Sequence, residues 1–305
     1  MTYNVEGDTA NFGEGESTRI NDNKKGYLVG RWTSNAFDVT LSASGDFILT
    51  RESSDPLGEY DGENTKATLS TADFRDGPNE AEWLATNALW FGADAYPDLN
   101  RGLMDLVGLG IDQPATLYGE LRDTVTVTGS QTAATITFNR FEPENDIEIV
   151  SGTVDRTAGG FGDIDGGPTW ASWKFDEVTV KYTDGGYVFT VTYNGEIDLL
   201  RSGQDTGTLT FNMDASWEGA TYRMEGVELS VGGPGVISGR YYDPVLGYVE
   251  ITTPTPVLGE PPDTGVVQFT GENGYFELDF SQGGDLFCYF DGCTNGTAIG
   301  RPYLD

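Results

Sequence analysis

Tyr187-Val188-Phe189-Thr190-Val191-Thr192-Tyr193-Asn194 and Thr208-Leu209-Thr210-Phe211-Asn212-Met213-Asp214-Ala215-Ser216-Trp217 lie in the stretch Trp170 to Val231, whose rhythm decides the fold. In the first run Tyr187, Phe189, Val191 and Tyr193 share one side, and Val188, Thr190, Thr192 and Asn194 the other. In the second, Leu209, Phe211, Met213, Ala215 and Trp217 oppose Thr208, Thr210, Asn212 and Asp214. A period of two is the mark of a half-buried strand. One face is apolar and the other is rich in threonine. Asp184-Gly185-Gly186 supplies a tight turn before the first run, so the stretch predicts an antiparallel meander. Past Trp217 the parity flips: Tyr222 and Met224 fall on one register, Val227, Leu229 and Val231 on the other. A β-bulge at Gly226 would restore the buried face.

Working outward, the same alternation recurs on both sides. Val125 and Val127, Ile136 and Phe138, and Ile147 and Ile149 precede the central stretch. Tyr248 to Thr252, Val266 to Thr270, Tyr275 to Phe280 and Leu286 to Phe290 follow it. Nearer the start, Tyr27 to Val29, Phe37 to Leu41 and Phe47 to Leu49 are short strands, and residues 50 to 78 carry no clear pattern. Residues 1–26 read as a flexible acidic and Gly-rich tail, with 27–305 as a single β-rich domain. One segment breaks the rhythm. Asn79 with Glu82 makes a capping box, and Trp83, Leu84, Ala88, Leu89 and Phe91 recur at helical spacing until Tyr96-Pro97. A weaker helix is expected from Leu99 to Val107. The expected fold is therefore all-β: an extended antiparallel meander, sandwich or half-barrel, with a helical excursion near residues 79–108 that covers an open end or face of the sheet.

The totals exclude more than they assign. The chain has no histidine, which removes Ser-His-Asp and Cys-His catalysis, His-ligated zinc and histidine pH switching. Its 17 basic and 49 acidic residues leave a formal charge of −32, which repels nucleic acid and anionic lipid surfaces. No run approaches the length of a membrane-spanning helix. Met1-Thr2-Tyr3-Asn4 leads straight into polar sequence, so a mature form without its signal segment is expected. Cys288 and Cys293 are the two cysteines, with Asp291-Gly292 between them. That spacing suits a disulfide across a hairpin loop and hence an oxidising compartment.

The segment Gly239-Arg240-Tyr241-Tyr242-Asp243-Pro244-Val245-Leu246-Gly247-Tyr248-Val249-Glu250-Ile251-Thr252-Thr253-Pro254-Thr255-Pro256, followed by Thr264-Gly265-Val266-Val267-Gln268-Phe269-Thr270-Gly271, resembles β-rich bacterial envelope proteins of unknown activity, many of them lipid-anchored. The resemblance implies an exported β-rich protein and brings no catalytic residues.

Three constellations bear on chemistry. Asp163 and Asp165, in Gly162-Asp163-Ile164-Asp165-Gly166-Gly167, could fold around a hard cation, and calcium is the candidate; the full EF-hand spacing is missing. Trp170, Trp173 and Trp217 are candidate glycan-stacking residues, although Trp170 and Trp173 have opposite parity, so at least one belongs to the core. An apolar ligand held against the greasy face is the third. No carboxylate pair, phosphate loop or nucleophile stands out, and no enzyme activity is expected. The expectation is a non-enzymatic structural or interaction protein of the bacterial cell envelope or extracellular matrix, its partners other copies or matrix components, self-assembling through sheet edges. The alternatives are a lipid- or glycan-binding module stabilised by calcium, and a virion structural protein.

Overall fold

In a computed structural model the chain divides into two compact units, Met1–Pro56 and Leu57–Asp305. The structure describes residues 57–74, 77–90, 124–130, 132–144, 147–160, 168–184, 187–203, 206–259 and 262–302, together with strands at 9–12, 15–18, 29–32, 37–41, 47–51 and 115–118. The first unit holds a five-stranded antiparallel meander: β1 (Thr9–Phe12), β2 (Gly15–Thr18), β3 (Val29–Trp32), β4 (Phe37–Leu41) and β5 (Phe47–Arg51). The β1–β2 pair lies within residues 1–26. Backbone ladders need no apolar alternation, so Thr9-Ala10-Asn11-Phe12 pairs with Gly15-Glu16-Ser17-Thr18 without signalling it in composition.

The second unit is one open sheet of fourteen strands in strict sequence order. It comprises β6 (Ala115–Tyr118), β7 (Thr124–Gly129), β8 (Ala133–Glu144), β9 (Ile147–Gly159), β10 (Trp170–Asp184), β11 (Tyr187–Arg201) and β12 (Gly207–Trp217). It continues through β13 (Ala220–Val231), β14 (Ile237–Asp243), β15 (Gly247–Leu258), β16 (Thr264–Gly271), β17 (Gly274–Asp279), β18 (Asp285–Phe290) and β19 (Thr297–Gly300). Every adjacent pair is antiparallel, so the meander is all-β and a single sheet rather than a two-sheet sandwich. Among the described residues one α-helix, α1 (Glu80–Trp90), joins it.

The registers show why the alternation works. Ile136, Val154, Phe175, Gly195, Met213, Met224, Tyr241 and Val249 stand opposite one another across β8 to β15 on the inner face. Ile251, Phe269, Phe276 and Cys288 make a second such row across β15 to β18. These rows, with Ala81, Leu84, Ala85 and Ala88 of α1, form one continuous buried core. Burying each large apolar side chain is worth about 1.5–3 kcal/mol, so the inner face dominates stability.

Bulges bend this sheet. At Gly226 the register between β12 and β13 shifts, its φ is +57°, and Asn212 Oδ1 accepts its N–H at 2.8 Å. That is the bulge the parity flip predicts. Gly239 of β14 packs against it with φ +130°; a Cβ there would lie 2.5 Å from the Cα of Val227. The same device recurs where Glu177 bulges in β10 with φ +48°. Asn194 Oδ1 accepts its N–H, and Gly152 of β9 lies against Val178. Bulges raise local twist and curvature.

The N-cap half of the expected capping box is present, and Glu82 answers to the Asn79 side chain. Asn79 Oδ1 accepts the Glu82 N–H at 3.0 Å, and Asn79 Nδ2 donates to Glu82 Oε2 and to the carbonyl of Ile299 in edge strand β19. Trp83 donates its indole N–H to Asp243 Oδ2 at 2.8 Å, so α1 covers one edge and one hairpin end of the sheet, as its tryptophan suggests. The second half of the expected excursion, Leu99 to Val107, lies outside the described residues.

Candidate functional site: the outer face of the sheet

Because the inner face is core, groups able to meet a partner stand on the outer face. The richest outer cluster spans β12 to β15. Arg223 is buried and reaches Asp214 through two hydrogen bonds, Nε to Oδ1 at 2.7 Å and Nη2 to Oδ2 at 2.9 Å. Two further N–H groups go to the carbonyls of Leu57 and Gly58, and its guanidinium lies 5.1 Å from the Tyr60 ring centre. Tyr60 donates to the Thr221 carbonyl and packs against Tyr242. Tyr242 donates to Glu225 Oε2 at 2.7 Å; burial first, then that carboxylate, push its phenol up to about 12. Burial, together with Asp243 and Asp214, drives the Tyr60 phenol higher still. Both remain neutral donors at any physiological pH.

The segment carrying Tyr60 continues as a strap along one end of the sheet. Ala67 donates to Tyr248, Tyr248 to Thr65, and Glu272 to Ala67, while Leu69 exchanges two hydrogen bonds with the Asn273 side chain. Lys66 pairs with Glu250 at 2.8 Å and, as the largest cause, holds that carboxyl below its ordinary range. Asp243 beneath it is 0% exposed, and its second oxygen accepts the N–H groups of Val245 and Leu246 in the β14–β15 turn. Every group in this network serves another group of the chain. It fastens the strap.

The sequence-predicted residues separate. Cys288 and Cys293 are bonded, closing the loop between β18 and β19. Asp163 and Asp165 lie outside the described residues. Among the described residues no three Asp, Glu or Cys side chains are grouped to hold a metal ion. The three tryptophans do not share a platform. Trp173 is 4% exposed on the inner face, cross-strand from the equally buried Arg156 and from Ile197. Trp217 packs on the core at the far end of the sheet beside Phe189 and Tyr222. Among the described residues neither of these indole N–H groups has a hydrogen-bond partner. Trp170 alone stands on the outer face. Burial holds the Arg156 guanidinium below its ordinary pKa, an inner-wall cation that the strand pattern did not signal because Thr153 to Gly159 carries only two apolar side chains.

No helix among the described residues is long and apolar enough to cross a membrane. Comparison with protein-family models, curated proteins and solved structures found no match to this chain.

Proposed function

We propose that this is a non-enzymatic structural or interaction protein of an oxidising compartment, the cell envelope or the extracellular matrix, working through the outer face of its sheet. The observation that carries it is the division of labour between faces. The inner rows are consumed by the core, so contact with anything else falls to the outer side. The Cys288–Cys293 bridge supports the compartment, since such bonds persist where thiols are not kept reduced.

Assembly through sheet edges is the finer form of the proposal. At the β19 edge the strand has only four residues and Asn79 occupies the Ile299 carbonyl, so strand addition there would have to displace α1's cap. Fractionation of producing cells under alkylating conditions tests the proposal. The protein is expected in the envelope or medium with no alkylatable thiol. Recovery from the cytosol with two alkylated cysteines would refute it.

A further inference from the structure

An exposed indole sits on the outer face in a polar frame. Trp170, 42% exposed, opens β10, with Gly159 of β9 on one side and Leu200 of β11, 65% exposed, on the other. Gly159 has no side chain to lift the ring: a Cβ there would lie 2.7 Å from Cζ2 and 2.8 Å from Nε1 of Trp170. The indole therefore rests against bare backbone. Two residues along, the next outer row is Thr157, Ser172 and Asp198, and Ser172 donates its hydroxyl to Glu196. One ring and one leucine, bordered by hydroxyls and carboxylates, make a surface apolar at its centre and hydrogen-bonding at its edge.

We propose that Trp170 is the stacking platform of a binding site for a neutral polysaccharide. A pyranose is apolar on one ring face and hydroxylated round its rim, which matches this surface group for group. The electron-rich face of the indole attracts the positively polarised C–H groups of the sugar. Its hydroxyls donate to Asp198 and Glu196, whose carboxylates each accept several hydrogen bonds. The charge of −32 selects among occupants: it repels acidic polysaccharides and nucleic acid, and leaves neutral chains unopposed. A hydrophobic peptide would need a wider apolar patch than a single Trp-Leu pair.

This site rests on the outer face being the working surface. It is tested with the full-length, disulfide-intact protein by native affinity electrophoresis in gels containing dextran, mixed-linkage β-glucan, xylan or galactomannan, and by co-sedimentation with cellulose and chitin. At least one of these polymers is expected to retain the wild type. Trp170→Ala should weaken retention on the order of tenfold or more, the scale of a truncated aromatic anchor. Tyr187→Ala, an exposed aromatic at the opposite end of the same strand pair, should bind as wild type, and all three proteins should melt together. No retention of the wild type by any polymer, or equal retention of Trp170→Ala, overturns the site. Either result leaves the compartment and outer-face proposal standing, because fractionation and thiol state decide that separately.

Discussion

Glu148 is held between two cations, Arg140 Nε at 2.7 Å and Lys181 Nζ at 3.0 Å, with its own side chain largely buried. The Arg140 hydrogen bond, then that of Lys181, keep its carboxyl below the ordinary value of 4.5. A carboxyl depressed in the folded state adds stability above its unfolded pKa and loses it as pH falls through the folded one. Glu148→Gln is therefore expected to lower the melting temperature near neutrality, with the gap to wild type closing in acid; a constant gap across the pH range would contradict the pairing. Gly239 makes a different kind of demand. At φ +130°, against the Cα of Val227, Gly239→Ala should cost about 3 kcal/mol in urea unfolding. A loss below about 0.5 kcal/mol would show that the bulge does not need that approach. Parity in the sequence placed Trp170 and Trp173 on opposite faces, and they are. It could not say which face was buried at Arg156, because a cation between Asp155 and Thr157 reads as a solvent position until the strands are paired.

Elements are held here by long-range partners as much as by local pattern. The strap at residues 57–69 carries no periodicity and reads as featureless in the sequence. Its partners lie some 160 to 200 residues away, at Arg223, Tyr248 and Asn273. Arg223→Ala removes the guanidinium that joins it to the sheet and leaves Asp214 unpaired. The expected cost is about 3–5 kcal/mol, with faster hydrogen exchange at the amides of Glu63 and Ala67. Unchanged exchange there would mean that the strap is held without Arg223. The helix start at Asn79 and the Gly226 bulge were legible because each has a local signature: a capping box in one case and a parity flip at a glycine in the other. The bulge at Glu177 has the same flip, from Trp173 and Phe175 to Val178 and Val180, without a glycine to mark it. In the last hairpin, the Cys288–Cys293 bridge closes a short loop. Replacing both cysteines by alanine should cost about 2 kcal/mol, the chain-entropy scale for a loop of this size, measured by denaturant unfolding. No loss at all would mean that the turn is fixed by its backbone bonds alone.

At the scale of the molecule, the second unit is a two-faced sheet: apolar inside, hydroxyl- and carboxylate-rich outside, in a strongly negative field. The period-two rhythm carried that architecture because each inner row is built from the same parity in successive strands. The split of the chain at Pro56 was not legible, since the strap that follows it carries no periodicity to mark a boundary. Native mass spectrometry of the gently purified, disulfide-intact protein tests the division of faces most directly. If the inner face is filled by the chain's own side chains, the ion series should give the mass of the polypeptide alone, with one disulfide. A retained lipid or other apolar molecule, released only on unfolding, would contradict it and put the ligand where Trp173 and Arg156 now meet the core.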